Sequence, residues 1–231
     1  MKTVVLISAD GEWRVVKSLL QHAQPKDSPF GEYVEITFQG RQMTIFHGGW
    51  GKVSASATTQ YVIDHMHPDL LVNLGTCGGF KGRVERGTII LVERTIIYDI
   101  VEQMTDAAEA IEHYSTILDL AWLPSNLPTP ATRGLLVSGD RDIVVQDIPE
   151  LIKRYGAVAA DWESGAIAWV AKRNSQHLLI LRGVSDLVGS EGGEAYGDYE
   201  LFLSRTREIM GQLLDALPKW LIAIESRVSA T

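Results

Sequence analysis

The chain has little cysteine, no long uninterrupted apolar run and no excess of basic residues. Its single cysteine, Cys77, has no second cysteine with which to form an internal disulfide. No apolar stretch approaches the roughly 20 residues that a membrane-spanning helix requires. The formal net charge of -8 and the scattered basic residues provide no surface for nucleic acid or for an anionic membrane. These absences argue against a disulfide-stabilised fold and against polyanionic partners.

The N-terminal stretch MKTVVLISADGEW contains only a short apolar run, which Asp10 and Glu12 follow at once. A secretory signal peptide has a longer apolar region and a cleavage site of small residues. We therefore expect a cytoplasmic protein. With 231 residues and 45% hydrophobic content, the chain can bury a sizeable core, and we expect one domain over residues 1–231.

Apolar runs rich in β-branched residues alternate with longer helical patterns along the chain. Strands are predicted at 3–8, 68–80, 88–100, 133–140, 157–163 and 177–186, with a hairpin over 33–49 that turns at Gln39 and Gly40. Helices are predicted near 12–22, at 52–66, at 164–174 and over about 198–226, the last broken near Pro218. Residues 101–132 are irregular, as expected at an entrance or an interface.

Several of these strands are apolar throughout, as strands covered by helices on both faces are. The pattern indicates an α/β fold with a central mixed, mainly parallel β-sheet flanked by helices. Ligands of open α/β sheets bind beyond the carboxyl ends of the strands. The polar segments at those ends are Ser8–Glu12, Gly48–Lys52, Gly75–Gly79, Asp99, Ser138–Asp140, Asp161–Glu163, and Ser185 with Asp186. Carboxylate groups from several of these segments crowd this face of the sheet without a matching cluster of bases.

Each of these polar residues also has an ordinary structural interpretation. Asp186 alone is typical of a turn or a helix cap. Glu163 and Glu12 suit the first turn of a helix, where the helix dipole favours a negative charge. Asp140 suits an Asx-turn, and Trp162 suits the core. A functional interpretation therefore depends on the combination of motifs rather than on any single residue.

Five motifs follow one another along the chain: GGWGKVSAS (48–56), NLGTCGGFKG (73–82), VSGDRDI (137–143), ADWESGAIAWVA (160–171) and LRGVSDLV (181–188). In this order and spacing the chain resembles the purine nucleoside phosphorylase and nucleosidase superfamily. It is most similar to the 5'-methylthioadenosine/S-adenosylhomocysteine nucleosidase branch. The resemblance covers nearly the whole chain and implies a nucleoside phosphorylase-like fold. It also implies hydrolysis of the N-glycosidic bond of a 5'-modified adenosine, with release of adenine.

The resemblance implies that Asp186 is the general acid that protonates the purine at N7 as the bond breaks. Its carboxyl must hold a proton near neutrality, which burial can arrange by disfavouring the charged form. Ser185 would orient this carboxyl. The glycine-rich stretch 189–197 would be a mobile segment over the base, and Tyr196 would close against the ligand.

The sugar and base contacts are likewise implied by the resemblance. Glu163 would accept hydrogen bonds from the ribose 2' and 3' hydroxyls and stabilise the positive sugar. Trp162 would stack against the ribose at a position where the family commonly has Met. The remaining lining would come from Thr76, the backbone of Cys77 and Gly78, and Ile143 in the base pocket.

The nucleophile separates two reactions, because phosphorolysis needs an oxyanion cradle whereas hydrolysis needs a carboxylate that activates water. Asn73 lies where phosphorylases of this fold commonly place a phosphate-binding Arg. Glu12 matches the water-activating glutamate of the nucleosidases, although a slip of one residue would put Trp13 there instead.

Two alternatives to a nucleosidase stay open. A phosphorylase would need an anion site built from Arg14, Arg41 or Arg94. A non-catalytic nucleoside-binding or storage protein stays open because Asp142 lies where nucleosidases tend to have an aromatic or aliphatic side chain and because 101–132 matches poorly. The presence of Glu12, Glu163 and Asp186 argues against it.

The expected partners are a small-molecule purine nucleoside and water as co-substrate, with no metal and no organic cofactor. His65 and His67 are typical of surface histidines rather than of metal ligands. The resemblance implies a homodimer and a role in methionine salvage. Exposed apolar residues on 52–66 or in 101–132 would supply the subunit interface.

Overall fold

The structure is a computed structural model that describes residues 1–20, 22–38 and 40–228. The strands are β1 (Thr3–Ile7), β2 (Lys26–Ser28), β3 (Gly31–Phe38), β4 (Arg41–His47), β5 (Leu70–Phe80), β6 (Ile89–Ile97), β7 (Ser115–Ile117), β8 (Thr132–Ser138), β9 (Ala159–Asp161), β10 (Leu178–Gly189) and β11 (Gly192–Gly193). The helices are α1 (Asp10–Leu19), α2 (Gly51–Met66), α3 (Ala107–His113), α4 (Ile148–Tyr155), α5 (Ser164–Arg173) and α6 (Tyr199–Val228).

All of these strands belong to one mixed sheet in the order β11-β10-β6-β8-β9-β5-β1-β4-β3-β2, with β7 added to β6. Strands β4, β1, β5 and β10 are parallel to one another, as are β6, β8 and β9. Because β10 pairs with both β5 and β6, the strands β5, β10, β6, β8 and β9 form a closed ring. The predicted α/β fold with a mixed sheet flanked by helices is confirmed.

The alternation of side chains along β1 explains why this strand is apolar from Val4 to Ile7. Val5 and Ile7 point into a core formed with α1 and α6, whereas Val4 and Leu6 point into a core formed with α2 and α5. Successive side chains of a strand face opposite sides of the sheet, so a strand covered on both sides needs an apolar residue at every position.

The predicted break at Pro218 is wrong, since α6 continues through this residue to Val228. Leu214, Leu217, Trp220 and Leu221, on both sides of the proline, are buried in the same core. An interior proline costs a helix about 3 kcal/mol. Burial of these large side chains offsets that cost, at about 1.5–3 kcal/mol for each.

Two further predictions need correction. Residues 101–132 contain α3 and β7, with irregular chain on either side of them. The strand predicted to end at Asp186 continues to Gly189. Of the predicted hairpin turn, Gln39 lies outside the described residues.

Candidate active site

The pairing of β10 with β5 is irregular immediately before Asp186. Val184 pairs with Cys77 of β5 and Asp186 pairs with Gly78, so Ser185 is an extra residue in the ladder, a β-bulge. A bulge turns the side chains that follow it and is common beside functional sites. The bulge places the side chains of Ser185 and Asp186 together at the wall of a cavity.

This cavity has a volume of about 570 Å³. Every residue that the sequence nominated for the site lines it: Glu12, Thr76, Cys77, Gly78, Ile143, Trp162, Glu163, Ser185, Asp186 and Tyr196. Most of these residues come from the strand ends, whereas Ile143 and Tyr196 were implied by the resemblance. Asp99 and Asp140, also at strand ends, do not line the cavity.

Asp186 is almost fully buried, with 7% of its surface exposed. The Ser185 hydroxyl lies 2.8 Å from Oδ1 of Asp186, as a hydrogen-bond donor, and 3.3 Å from the carbonyl oxygen of Cys77. Burial raises the pKa of Asp186, and the hydrogen bond from Ser185 opposes this shift. The carboxyl consequently retains its proton to a higher pH than an exposed aspartate does.

Glu12 lies in the first turn of α1, with its carboxylate in the cavity wall. Its Oε1 accepts hydrogen bonds from the backbone N–H of Thr76 at 2.5 Å and from the Thr76 hydroxyl at 2.8 Å. Trp13 is buried elsewhere and stacks on His47, with ring centroids 5.5 Å apart. It is therefore Glu12 that faces the site, not its neighbour Trp13.

Glu163 follows β9 and immediately precedes α5. Its Oε1 accepts a hydrogen bond of 3.1 Å from the backbone N–H of Gly51, the first residue of α2. Burial raises the pKa of Glu163, the negative charge of Asp161 raises it further, and the Arg182 guanidinium opposes both. The ionisation of Glu163 therefore depends on the balance between the negative charge of Asp161 and the positive charge of Arg182.

Arg182 is the cation that the sequence interpretation missed, a single buried guanidinium among carboxylates that have no matching cluster of bases. The residue is 1% exposed. Its Nη2 lies 2.8 Å from Oδ2 of Asp161 and 3.8 Å from Oε2 of Glu163. Its Nη1 lies 3.8 Å from Oε1 of Glu12. The signal was a charged residue inside a strand otherwise predicted to be buried, since a buried charge requires partners.

Asn73 belongs to the same buried cluster. Its Oδ1 accepts a hydrogen bond of 3.0 Å from Nη2 of Arg182, and its Nδ2 donates one of 3.1 Å to the carbonyl of Leu6. Gly75 makes this arrangement possible, because a Cβ there would lie 1.9 Å from Nη1 of Arg182 and 2.9 Å from Oε1 of Glu12.

Aromatic residues form other parts of the cavity wall. Trp162 stacks on Trp50, with ring centroids 4.9 Å apart and an angle of 23° between the planes. The Tyr196 hydroxyl donates a hydrogen bond of 3.1 Å to the carbonyl of Ile143. Burial and the nearby charge of Asp142 raise the pKa of Tyr196 to about 12, so this hydroxyl keeps its proton at neutral pH.

The three arginines considered for an anion site lie outside the cavity wall. Arg14 donates to the hydroxyl of Tyr199 at 2.7 Å. Arg41 pairs with Glu225, and Arg94 lies 3.1 Å from Glu112.

Acidic side chains dominate the wall itself. Its one arginine among the described residues, Arg141, is paired with Asp147 at 2.7 Å. The acidic residues of the wall are Glu12, Asp142, Asp161, Glu163, Asp186 and Asp198. A wall with this charge balance disfavours an anionic ligand.

Within the described residues, no group of three or more His, Cys, Asp or Glu side chains is arranged to hold a metal ion. In the same part of the chain, no helix is both long and apolar enough to cross a membrane.

The sheet and its cavity lined by carboxyl groups define an α/β protein of the nucleoside phosphorylase type. The model of the phosphorylase superfamily matches residues 3–218, and the chain belongs to this family.

Similar proteins carry more specific names. The chain is 29% identical over 180 residues to a 5'-methylthioadenosine/S-adenosylhomocysteine nucleosidase of Thermotoga maritima, a match that covers 77% of this chain and 80% of the relative. The apo structure of Arabidopsis thaliana 5'-methylthioadenosine nucleosidase has a TM-score of 0.78 and 24% identity, covering 97% of this chain and 96% of that one. A 5'-methylthioadenosine/S-adenosylhomocysteine nucleosidase of Colwellia psychrerythraea, solved in complex with adenine, has a TM-score of 0.73 and 22% identity, covering 95% and 96% of the two chains.

Proposed function

We propose that this protein is a nucleosidase that hydrolyses the N-glycosidic bond of a 5'-modified adenosine of the methylthioadenosine or S-adenosylhomocysteine type and releases adenine. The observation that carries the proposal is the presence of Glu12, Glu163 and Asp186 in one cavity whose wall has an acidic excess. The names of the similar proteins support the same reaction.

Asp186 acts on the leaving group. The bond between the ribose C1' and the purine nitrogen breaks with its electron pair moving to the base, and the Asp186 proton goes to N7. Burial raises the pKa of this carboxyl, so it retains its proton to a higher pH than an exposed aspartate does. Ser185 orients the carboxyl through its hydrogen bond of 2.8 Å.

Glu163 acts on the sugar, which becomes positively charged as the base departs. Its carboxylate accepts hydrogen bonds from the ribose 2' and 3' hydroxyls and stabilises the positive charge. The growing charge on the ribose also favours the ionised form of Glu163, opposing the upward pKa shift that burial causes. Trp162, supported by its stacking on Trp50, provides a flat apolar wall for the ribose.

Glu12 acts on water. A water molecule adds its oxygen to C1' of the ribose and gives a proton to the Glu12 carboxylate. The two hydrogen bonds from Thr76 hold Oε1 of this carboxylate in one orientation. Hydrolysis fits the wall better than phosphorolysis does, because phosphate would enter as an anion among carboxylates.

The base pocket is formed by Ile143 and Tyr196, with the backbone of Cys77 and Gly78 at its edge. We propose that Tyr196 closes against the bound purine. Its hydroxyl bonds to the Ile143 carbonyl at 3.1 Å, which holds the ring beside the base pocket.

We also propose that the protein functions in the cytoplasm, in methionine salvage, as a homodimer with a single domain per chain. Three exposed apolar side chains support a subunit interface: Val53 on α2, and Val101 and Met104 before α3. Val53→Lys would then shift the sedimentation coefficient towards that of the monomer. A coefficient that already matches the monomer for the unmodified chain would reject the dimer.

The decisive experiment measures base release from methylthioadenosine, S-adenosylhomocysteine, adenosine and inosine, each with and without phosphate, and identifies the sugar product. We expect adenine and the free sugar without phosphate. A sugar 1-phosphate formed only when phosphate is present would establish a phosphorylase instead. Nucleoside binding without any base release would establish a binding protein.

A further inference from the structure

Asp161, at the end of β9, is held more firmly than the carboxylates beside it. It is 7% exposed. Its Oδ1 accepts a hydrogen bond of 2.6 Å from the Ser138 hydroxyl, and its Oδ2 accepts one of 2.5 Å from the Ser164 hydroxyl. The backbone N–H of Ser164 adds a bond of 3.1 Å to Oδ2. Several donors fix this carboxylate from two elements, the end of β8 and the start of α5.

The fixed carboxylate in turn holds Arg182. Nη2 of the guanidinium lies 2.8 Å from Oδ2 of Asp161, and its Nε donates a bond of 2.9 Å to the Ser164 hydroxyl. Nη1 donates to the carbonyl of Thr76 at 3.3 Å. A planar guanidinium bound along several edges has little freedom to rotate or shift.

The guanidinium lies between the two glutamates of the site. Arg182 lies 3.8 Å from Oε1 of Glu12 on one side and 3.8 Å from Oε2 of Glu163 on the other. All three side chains are at least nine-tenths buried. Because these side chains are so deeply buried, a shift of the single cation towards one glutamate would change the proton affinity of both.

We propose that Asp161 is a positioning residue, which holds the Arg182 guanidinium midway between Glu12 and Glu163 and thereby sets the pH at which the ribose-binding glutamate ionises. Asp161 does not act on the base or the attacking water. The inference rests on the proposed function, because that function assigns the two glutamates their roles.

The charged groups around Glu163 determine the expected direction. Asp161 and Glu12 are negative and Arg182 is positive. The Cys77 thiol on β5 also faces Arg182, and burial raises its pKa, so it stays neutral. Asp186 on β10 lies near that thiol and holds a proton in the mechanism above. Replacing Asp161 by Asn removes a negative charge and releases Arg182 towards the glutamates, and both effects lower the pKa of Glu163.

The test is an NMR titration of glutamate side-chain carboxyl carbons, in protein labelled with ¹³C-glutamate. Glu163→Gln assigns the Glu163 signal. We expect Asp161→Asn to lower the midpoint of this signal by on the order of one pH unit, a ten-fold change in proton affinity. The matched control is Asp215→Asn, an exposed position on α6, whose midpoint should equal that of the unmodified protein.

The same variants are then compared in their profiles of kcat/KM against pH. In Asp161→Asn the acidic limb should move to lower pH in parallel with the NMR midpoint. An unchanged midpoint combined with a uniform loss of rate would overturn the proposal, because that result describes a merely structural residue. A shifted midpoint in protein that hydrolyses no nucleoside would support the role of Asp161 and reject the proposed function instead.

If Asp161→Asn does not fold, Ser138→Ala is tested in its place. This change loosens Asp161 and leaves every charge of the cluster present. The Glu163 midpoint should then move in the same direction by a smaller amount, and an unchanged midpoint would again overturn the proposal.

Discussion

Ser185 and Asp186 are consecutive residues at the β-bulge of β10, and the hydroxyl of the first lies 2.8 Å from the carboxylate of the second. In a regular strand, adjacent side chains point to opposite faces of the sheet. The bulge brings these two together at the cavity wall. The pair therefore combines a buried acid with a donor that orients it.

The first prediction concerns the acid itself. Asp186→Asn preserves the size of the side chain but has no proton to transfer, so kcat should fall by about 10²–10⁴-fold. Affinity for a non-cleavable adenosine C-nucleoside, measured by calorimetry, should change little. A kcat equal to that of the unmodified protein would refute the role of Asp186.

The second prediction concerns the donor. The Ser185 hydrogen bond favours the ionised form of Asp186 and lowers its pKa. Ser185→Ala should therefore raise that pKa, so the acid stays protonated to higher pH and the alkaline limb of kcat/KM moves upwards. The value of kcat should fall as well, because the carboxyl loses its orientation.

Ser190→Ala is the matched control for this change, since Ser190 is exposed and its hydroxyl bonds to the exposed Glu191, at 3.4 Å. Its profile should coincide with that of the unmodified protein. Movement of the limb of Ser185→Ala to lower pH would contradict the assignment of this limb to Asp186.

The third prediction concerns the close approach at Gly75. A methyl group there would meet Nη1 of Arg182 at 1.9 Å, so Gly75→Ala must displace the guanidinium or the strand. We expect destabilisation of about 1–3 kcal/mol, as for overpacking, together with loss of activity. Urea denaturation and kcat/KM provide the two measurements.

Gly211→Ala serves as the comparison, because a Cβ at this position of α6 meets no heavy atom within 4 Å. Replacing a helical glycine by alanine should stabilise the protein by roughly 0.5–1 kcal/mol and leave kcat/KM unchanged. If Gly75→Ala behaved in the same way, the packing of Arg182 described above would be wrong.

The fourth prediction concerns α6. Pro218 lacks the backbone N–H of a helical residue, and Pro218→Ala supplies it. Alanine restores a helical hydrogen bond and removes the clash of the proline ring, which stabilises the folded state. It also raises the conformational entropy of the unfolded chain, a smaller and opposing effect, so the free energy of unfolding should rise by about 1–2 kcal/mol. The measurement is the urea midpoint at an unchanged denaturant slope.

Pro149→Ala is the control for the proline effect. Pro149 lies in the first turn of α4, where a missing N–H costs nothing. This variant should show no gain in stability. An equal gain in both variants would mean that helix position does not explain the effect.

Much of the fold could be predicted because the local pattern of apolar residues determines the strands and helices. Strand β1 is apolar from Val4 to Ile7 since both of its faces are covered. Pro218 shows the limit of local reasoning, because only the core on both sides of it keeps α6 continuous. The strand-end rule brought Glu12 and Asp186 to one cavity, yet it missed Arg182, which lies inside a strand rather than at its end.

The sequence by itself determined the α/β class, which follows from periodicity, and the polar strand ends that meet at the cavity, which follow from the order of the strands. The remaining nominated residues of the wall were implied by the resemblance of its motifs to the phosphorylase superfamily. Only the tertiary structure decided how the buried charges are shared. The partners of Arg182 come from α1, β5, β9 and the start of α5, segments far apart in the chain. Electrostatic interactions depend on distance in space and on burial, and neither can be read from spacing along a sequence.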